Sequence, residues 1–223
     1  MGLNVIMMGP PGAGKGTQAE RFARERGLLK ISTGDILREA IKAKNPTALA
    51  AKARMDRGEL VDDAMIIAIV ADRLERSDAK PGFVLDGFPR TVAQAQALDE
   101  LMTRGDSGAL IIVDVAVPEQ ELVRRLGSRR ICRVCGTNAE ALVAATECGK
   151  CSGELIQRTD DDQGVVRERL KIYQTATKPV LEYYRERPTF RVVNGAQSPE
   201  RVATELDTMI DDAASAMSGE RAR

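Results

Sequence analysis

A nine-residue segment near the N-terminus has the composition of a loop that binds phosphate groups. It reads Gly9-Pro10-Pro11-Gly12-Ala13-Gly14-Lys15-Gly16-Thr17 and lies between an apolar run and a helical pattern. Glycines allow backbone N–H groups to point inward, a helix N-terminus adds partial positive charge, and Lys15 adds a full charge. The strict motif has Ser or Thr directly after the lysine, where this chain has Gly16 and then Thr17. The alternative is a tight turn without a ligand, but the lysine in register favours a polyphosphate site.

Arginines that follow predicted turns are the second group of candidates. Arg38 and Arg90 each come just after a short turn, where a forked guanidinium can bind a phosphate through two hydrogen bonds. A single arginine is most often a solvated charge on a helix face, and we interpret Arg130 and Arg133 in that way. Asp86 ends a buried strand beside the glycine-rich loop, which makes it a candidate for holding Mg²⁺; a capping residue is the alternative.

Four cysteines form two C-x₂-C pairs in a segment that lacks periodic apolar residues. They are Cys132, Cys135, Cys148 and Cys151, and the chain has no others. Four thiolates satisfy tetrahedral zinc and leave no open position for a substrate, so the pattern predicts a structural zinc site. The alternatives are two disulfides or four free thiols.

The composition excludes several kinds of chemistry and disfavours several partners. Histidine is absent, so serine–histidine triads, imidazole bases and zinc sites with imidazole ligands are ruled out. The 33 basic and 33 acidic residues cancel, which argues against nucleic acid or an anionic membrane as a partner. No apolar run approaches the roughly 18 residues of a membrane span, and no basic signal region opens the chain. We therefore expect a cytoplasmic protein.

The elements that must position these residues alternate along the chain. Strands are predicted at 3–8, 83–86, 110–117 and 190–193, and the turn at 31–35 leads from a further strand into a helix. Helical patterns follow most of these runs, and the last one begins at Ser198-Pro199, with a tail after Ala213 that we expect to fray. This alternation predicts an α/β protein with three layers and a mainly parallel sheet.

In the same order along the chain, these motifs resemble those of the adenylate kinase family, in its long form with a zinc-bound lid. Besides the glycine-rich loop, the matching segments are 31–35 with Arg38, 58–61, 86–90 with Gln94, and 158–161 with Arg169. The resemblance implies a P-loop core with a mainly parallel five-stranded sheet, formed by residues 1–31, 62–127 and 162–223. It also implies a helical AMP-binding insertion at 32–61 and a small lid at 128–161.

The resemblance also assigns roles to individual residues. The implied catalytic residues are Lys15, Arg90, Arg125, Arg129, Arg158 and Arg169. The implied ATP-binding residues are Gly12, Ala13, Gly14, Lys15, Gly16, Thr17, Arg129 and Gln197. The implied AMP-binding residues are Thr33, Arg38, Glu59, Leu60, Val61, Gly87, Phe88, Pro89, Arg90, Gln94, Arg158 and Arg169. Asp86 would hold Mg²⁺ through water, and the four cysteines would bind structural Zn²⁺.

The implied activity is the reversible, Mg²⁺-dependent reaction ATP + AMP = 2 ADP in a monomer, with adenine nucleotide homeostasis as its purpose. A kinase for GMP, UMP or CMP would share the loop and the arginines, and only Thr33, Met55 and Gln94 favour AMP over these acceptors. A zinc-ribbon protein that uses ATP on nucleic acid is disfavoured by the zero net charge and by the scarcity of aromatic residues, four Phe and three Tyr. A nucleotide sensor without catalysis would not need so many arginines.

Overall fold

A parallel sheet of five strands forms the centre of the computed structural model, which describes residues 2–104, 108, 110–139 and 146–220. Within those residues the strands are β1 (Leu3–Met8), β2 (Leu29–Ser32), β3 (Gly82–Asp86), β4 (Leu110–Ala116), β5 (Ile131–Cys132), β6 (Leu155–Ile156) and β7 (Phe190–Asn194). The sheet has the order β2-β3-β1-β4-β7, and each neighbouring pair is parallel. The short β5 and β6 form a separate antiparallel pair.

Helices connect the strands and cover both faces of the sheet. They are α1 (Lys15–Arg26), α2 (Thr33–Lys42), α3 (Pro46–Asp56), α4 (Asp63–Glu75), α5 (Val92–Arg104), α6 (Glu119–Ser128), α7 (Gln163–Ile172), α8 (Lys178–Tyr184) and α9 (Pro199–Glu220). A π-helical turn, Tyr173–Thr177, joins α7 to α8 without a break. None of the helices in the described ranges combines the length and the apolar character that crossing a bilayer requires.

The alternation of side chains along the central strand divides the core into two layers. Val5 and Met7 of β1 point into one cluster, whereas Ile6 and Met8 point into the other, because successive side chains of a strand face opposite sides. All four are at most 3% exposed. A strand buried on both faces reads as a continuous apolar run in the sequence, which is why β1 was predictable with its observed bounds.

Each layer is completed by helices that present an apolar stripe to the sheet. The first layer contains buried residues of α1, α6, α7 and α9, among them Phe22, Leu126 and Leu206. The second contains residues from α2 to α5 and from α8, among them Leu98 and Tyr184. The predicted α/β class, the three layers and the mainly parallel five-stranded sheet are therefore confirmed.

The C-terminal helix is longer than the sequence suggested, and the expectation that the chain frays after Ala213 is wrong. Helix α9 continues to Glu220, because Ala213 is 1% exposed and Met217 packs against the first core cluster. Upstream in the same helix, Asp211 forms a two-point ion pair with Arg26 of α1. Alanine-rich composition is compatible with a docked helix when its small side chains lie against a partner. Residues 221–223 of the predicted tail lie outside the described residues.

The segments of the two predicted insertions differ in how they join the sheet. Helices α2 and α3 follow the end of β2, and the β5–β6 pair separates α6 from α7. Ligands of parallel α/β proteins bind outside the carboxyl ends of the strands. The first of these segments therefore begins at the edge of the sheet where a ligand is expected, since it follows the carboxyl end of β2. Residues 140–145 of the predicted lid lie outside the described residues.

Candidate active site

The glycine-rich loop joins the end of β1 to the first residue of α1. Gly14 occupies the position before the helix with a φ of 93°, and Gly9 has a φ of 134°. A Cβ atom on Gly9 would lie 2.5 Å from the carbonyl oxygen of Val115, so only glycine allows the loop to approach β4 this closely. The turn is closed by the Ala13 N–H, which donates to the Pro10 carbonyl oxygen at 3.2 Å. The loop thus has the strand–turn–helix context that phosphate binding requires.

Lys15 turns back over this loop from the first position of α1. Its Nζ donates a hydrogen bond to the Pro10 carbonyl oxygen at 2.7 Å. Burial and, to a smaller extent, the positive charges of Arg90, Arg169 and Arg129 lower the pKa of Lys15 to about 8, against the opposing effect of the Asp86 carboxylate. The lowered pKa arises mainly from burial, and the arginine contributions mean that three guanidiniums from separate parts of the chain lie within electrostatic range of the loop lysine.

The carboxylate of Asp86 lies beside the first turn of α1, as the sequence predicted. Asp86 is the last residue of β3, and a Cβ built on Gly16 would lie 3.1 Å from its Oδ2. Gly16 therefore leaves room for this carboxylate at the point where the strict motif has a hydroxyl-bearing side chain. A carboxylate oxygen next to a phosphate loop is the kind of ligand that Mg²⁺ takes, directly or through water. The residues present fit a nucleotide-bound magnesium ion.

Three of the predicted arginines are held together by two adjacent carboxylates, Asp160 and Asp161. The guanidinium of Arg129 forms a two-point ion pair with Asp161, whose side chain is fully buried. Arg169 donates from Nη1 to Asp161 Oδ1 at 3.1 Å and to the Asp160 carbonyl oxygen at 2.9 Å, and it pairs with the Asp160 carboxylate at 3.0 Å. Arg158 pairs with Asp160 at 3.2 Å. We call these three arginines and two aspartates the arginine cluster.

The electrostatics of the arginine cluster are those of an excess of positive charge. Burial lowers the pKa of Arg158 to about 10, and the charge of Arg38 adds to this effect, while Asp160 opposes it. Burial alone would raise the pKa of Asp160, but Arg169 and Arg158 more than offset it, so that this pKa lies below its ordinary value. Three guanidiniums share two carboxylates, and Arg38 lies close enough for its positive charge to lower the pKa of Arg158. Such a cluster is suited to receive additional anionic oxygens.

The predicted acceptor side is organised around Gly87. Its carbonyl oxygen accepts hydrogen bonds from Thr33 Oγ1 at 3.0 Å and from Arg90 Nε at 2.8 Å. A Cβ at Gly87, whose φ is 77°, would lie 2.9 Å from Arg90 Nη2, so a side chain here would displace the guanidinium. Phe88 is buried, and the Phe88–Pro89 peptide bond is cis. The structure thus brings Thr33, Arg90 and the 87–89 segment together.

Gln94 lies in the first turn of α5 with its side chain only 2% exposed. Its Oε1 accepts from the Arg90 backbone N–H at 2.8 Å, and its Nε2 donates to Asp63 Oδ1 at 2.7 Å. Each end of the amide retains the capacity for one more hydrogen bond. Gln94, which is predicted to bind the adenine edge, is therefore hydrogen-bonded to the backbone of Arg90, which is predicted to bind the phosphate.

The remaining acceptor-side candidates form the wall opposite α7. A Cβ at Gly58 would lie 2.7 Å from Arg169 Cγ, so this segment packs directly on the arginine cluster. In the three residues that follow, Glu59 pairs with Arg57 and Val61 is buried in the second core layer. The Leu60 carbonyl oxygen, also in this stretch, accepts from Arg54 at 3.4 Å. Arg38 is paired with Asp35 one turn earlier in α2.

Two predicted donor-side residues make their described contacts locally. Arg125 donates to Glu121 at 2.7 Å on its own helix, and hydrogen bonds from Arg124 and Arg125 lower the pKa of Glu121 to about 2. Gln197 donates to the Asn194 carbonyl oxygen at 3.2 Å and to Glu205 Oε1 at 2.8 Å. Unlike Arg129, Arg158 and Arg169, these two side chains are held outside the arginine cluster.

The four cysteines meet in one cluster at the β5–β6 pair. Their sulfur atoms all lie within 4.8 Å of one another, with Cys132 and Cys151 at 3.4 Å and Cys135 and Cys148 at 3.6 Å. Two backbone N–H groups, of Cys135 and Lys150, point at Cys132 Sγ and Cys148 Sγ at 3.4 Å each. Zinc–sulfur bonds of about 2.3 Å in a tetrahedron place sulfurs about 3.8 Å apart, so the cluster has the size and donor set for a metal ion.

Several aspartates of the site were not singled out by the sequence analysis. Asp160 and Asp161 lie inside a quoted motif, and their adjacency to Arg158 was the available signal, but neither was given a role. Asp63, which binds Gln94, had no sequence signal beyond its place near a helix start. Asp114 on β4 is a further case: its Oδ1 is buried without a hydrogen-bond partner in the described part of the chain, and burial raises its pKa. Such contacts depend on the tertiary structure.

Comparisons with known proteins agree with this geometry. A family model described as adenylate kinase matches residues 7–189. An adenylate kinase of Archaeoglobus fulgidus is 44% identical over 213 residues, which cover 94% of this chain and 98% of that protein. Adenylate kinases of Desulforudis audaxviator and Thermodesulfovibrio yellowstonii are 45% and 39% identical, covering 92% and 94% of this chain and 97% and 99% of their own lengths. The predicted family is confirmed: the chain belongs to the adenylate kinase family of phosphotransferases.

Proposed function

We propose that the chain performs the reaction of its family, ATP + AMP = 2 ADP, in the cleft between the glycine-rich loop and the arginine cluster. The observation that carries this proposal is the position of Lys15. Its Nζ lies on the glycine-rich loop, 2.7 Å from the Pro10 carbonyl oxygen, within electrostatic range of Arg90, Arg129 and Arg169. Phosphoryl transfer demands alignment of two anionic groups and neutralisation of the charge that spreads over the transferring group. A ring of cations from both sides of the cleft supplies both requirements.

No general base is needed for this reaction. The phosphate of AMP is already an anionic nucleophile, so the protein has no proton to remove before the attack. The chain contains no histidine, and the cleft is built from lysine, arginine and carboxylate side chains. Catalysis then rests on fixed positive charges that cost little reorganisation at the moment of transfer.

On the donor side, the backbone N–H groups of residues 12–17 cradle the phosphates of ATP and Lys15 binds the terminal oxygens. Arg129, Arg158 and Arg169 face the transferring group from the opposite side, already fixed by Asp160 and Asp161. Gln197 binds ATP from a position at the rim, and Arg125 contributes to catalysis at the transferring group. These roles require Arg125 and Gln197 to exchange their present partners, Glu121 and Glu205, for the nucleotide.

On the acceptor side, Arg38 and Arg90 bind the phosphate of AMP. Thr33, Gln94 and the backbone of residues 59–61 surround the adenine ring, with Gly87, Phe88 and Pro89 forming the wall next to it. Support for this arrangement comes from the shared hydrogen-bond acceptor at Gly87, which ties Thr33 and Arg90 to one point. Gln94 is connected to this group because its Oε1 accepts a hydrogen bond from the Arg90 backbone N–H.

Two metal ions belong to this proposal. Asp86 would hold Mg²⁺ through water, and this ion, which arrives with the nucleotide, would neutralise phosphate charge. Cys132, Cys135, Cys148 and Cys151 would hold Zn²⁺ as a structural staple for a lid too small to form a core of its own. Support for zinc comes from four thiol ligands with no open position, which leaves the ion no catalytic role.

The segments 32–61 and 128–161 would act as two covers that close over AMP and ATP and exclude water from the transfer. Thr159 Oγ1 lies 3.5 Å from Asp56 Oδ1, so the two segments already touch at one point. We further propose that the chain acts as a cytoplasmic monomer, since one chain supplies every group that the reaction requires.

A coupled assay with ATP and Mg²⁺ and a panel of four acceptors tests the proposal. We expect kcat/KM for AMP to exceed the values for GMP, UMP and CMP by at least about 100-fold, the discrimination a hydrogen-bonding base site provides. A higher kcat/KM with GMP, UMP or CMP would show that AMP is not the preferred acceptor, and the chain would then be a kinase for that other nucleoside monophosphate. An adenosine–polyphosphate–adenosine compound should bind far more tightly than ATP alone; equal affinity would contradict a cleft that holds two nucleotides end to end.

A further inference from the structure

Asp63 connects the start of α4 to the start of α5 and holds the side chain of Gln94. One carboxylate oxygen, Oδ1, accepts from Gln94 Nε2 at 2.7 Å, and the other, Oδ2, accepts from Thr91 Oγ1 at 2.8 Å. Thr91 in turn accepts the Gln94 backbone N–H at 3.2 Å. Asp63 is therefore bound at both oxygens by the turn that carries Gln94, and it makes no contact with the phosphate loop or the arginine cluster in the described structure.

The two partners of the Gln94 amide determine which way round it lies. An ionised carboxylate can only accept hydrogen bonds, so it must face the NH₂ group, and the Arg90 backbone N–H can only donate, so it must face the oxygen. The reversed amide would set two acceptors against each other at Asp63 and two donors at Arg90. Amide orientation is inferred from such networks, and here both ends select the same one.

The orientation of this amide has a chemical consequence for purine recognition. A 6-amino purine offers a donor at position 6 and an acceptor at N1, whereas a 6-oxo purine offers an acceptor and a donor at the same two places. A side-chain amide that can reverse binds either pattern, but one held in a single orientation binds only one of them. Leaving buried polar groups unpaired is what makes such discrimination large.

We propose that Asp63 is a specificity-determining positioning residue, which together with the Arg90 backbone N–H fixes the Gln94 amide in one orientation, so that the acceptor site accepts AMP and rejects 6-oxo purine monophosphates. This inference rests on the proposed role of Gln94 at the adenine edge. Asp63 does not touch the nucleotide; it acts through Gln94. The charge on the carboxylate matters because an uncharged amide at this position could offer either a donor or an acceptor to Gln94.

The test compares Asp63→Asn with Asp62→Asn in the full-length protein. The neighbouring Asp62 caps α4 by accepting from the Met65 N–H at 3.2 Å, is exposed, and can be replaced by Asn, which caps equally well. Both variants remove one negative charge from the same turn. The measured quantity is the ratio of kcat/KM for AMP to kcat/KM for inosine monophosphate, with KM for ATP and the melting temperature as readouts of intact folding.

We expect Asp63→Asn to lower the ratio by about tenfold, mainly through KM for the acceptor, with KM for ATP unchanged. Asp62→Asn should leave the ratio within about twofold of wild type. In a Gln94→Ala background the substitution at Asp63 should have no further effect on the ratio, because the group through which it acts is gone. An undiminished effect in that background, or an unchanged ratio in Asp63→Asn alone, would overturn the proposal.

A measurement on the unmodified protein covers the case in which Asp63→Asn does not fold. The side-chain NH₂ of Gln94 should give one pair of ¹⁵N–¹H signals, with one proton shifted downfield and protected from exchange by the carboxylate. A Gln94 amide that exchanges rapidly with water would contradict the fixed orientation. Failure of the broader proposal looks different: the wild-type protein would then not phosphorylate AMP at all, whatever the result at Asp63.

Discussion

The glycine-rich loop and the arginine cluster, which we propose bind the same kind of group, are built by opposite means. The loop is one unbroken segment of nine residues, between β1 and α1, and it presents mainly backbone N–H groups. The arginine cluster uses long side chains from the end of α6, from the segment after β6 and from α7, and two aspartates hold them in place. A site built from local backbone is fixed once the segment folds. A site built from distant side chains depends on every element that carries them.

The largest expected effect comes from removing the one charge that the loop itself contributes. Lys15→Met should lower kcat by about 1,000-fold or more, since a fixed charge at the transferring group is lost, while the free energy of unfolding changes little. Lys171→Met is the control, because Lys171 has a side chain that is 73% exposed. Steady-state kinetics and urea denaturation measure the two quantities. Substantial activity in the Lys15→Met variant would contradict the proposed catalytic role of the glycine-rich loop.

The arginine cluster should respond differently, with activity and stability falling together. Asp161→Asn leaves Arg129 and Arg169 facing an amide in place of a buried carboxylate, so we expect kcat/KM to fall about 100-fold and stability by about 2 kcal/mol. Asp162→Asn removes a charge at the adjacent position, where Asp162 caps α7 and Asn caps equally well. That control should keep near wild-type values in both assays. Loss of activity without loss of stability would mean that Asp161 does not hold the cluster together.

The cysteine cluster tests whether the lid supports the arginines that flank it. Arg129 lies just before β5 and Arg158 just after β6, and the four cysteines lie between these two positions along the chain, from Cys132 in β5 to Cys151 before β6. Cys148→Ser should release about one zinc ion per chain, lower the melting temperature by about 5 °C and reduce kcat several-fold, with little change in ATP affinity at the loop. Lys150→Gln retains the backbone N–H that points at Cys148 Sγ and serves as the control. Native protein without bound zinc by elemental analysis would end the zinc assignment.

At neutral pH the smallest expected effect is that of the titration of the loop lysine, which becomes large only above pH 8. In the proposed mechanism Lys15 binds phosphate only when charged. Its pKa in the free protein is lowered to about 8, so the charged form predominates below that pH and is lost above it. We expect kcat/KM for ATP to be level between roughly pH 6 and 7 and to fall nearly tenfold per pH unit well above 8. In Lys15→Arg the guanidinium stays charged, so this fall should disappear even if activity is lower. If kcat/KM of the wild-type protein does not change above pH 8, the charge of Lys15 does not contribute to ATP binding.

The difference between the two regions also explains which features the sequence analysis could predict. β1, the loop and the start of α1 were predictable because each is encoded in consecutive residues: an apolar run, glycines at fixed positions and a lysine in register. The four-cysteine cluster was equally predictable, since the spacing of two C-x₂-C pairs by itself indicates a metal site. The positions of the catalytic arginines came from a resemblance between motifs and remain a prediction that the kinetic tests address.

Other features depend on contacts that no local pattern encodes. The extension of α9 to Glu220 depends on the packing of Ala213 and Met217 against the first core layer. An alanine-rich sequence does not predict this packing. Asp63 and Gln94 are neighbours only because α4 and α5 begin side by side. Asp114 lies in a buried strand that reads as apolar around it, and the absence of a partner for its Oδ1 among the described residues could not be foreseen.

By itself the sequence determined the α/β class, the phosphate loop and the metal-binding pattern, because backbone geometry and ligand spacing act over short distances along the chain. Only the tertiary structure decided that two adjacent aspartates hold three arginines together, and that a carboxylate from α4 binds the Gln94 amide. These are interactions between charges and hydrogen-bonding groups far apart in the chain. Their strength depends on burial and separation in space, which appear only once the sheet and its helices have packed.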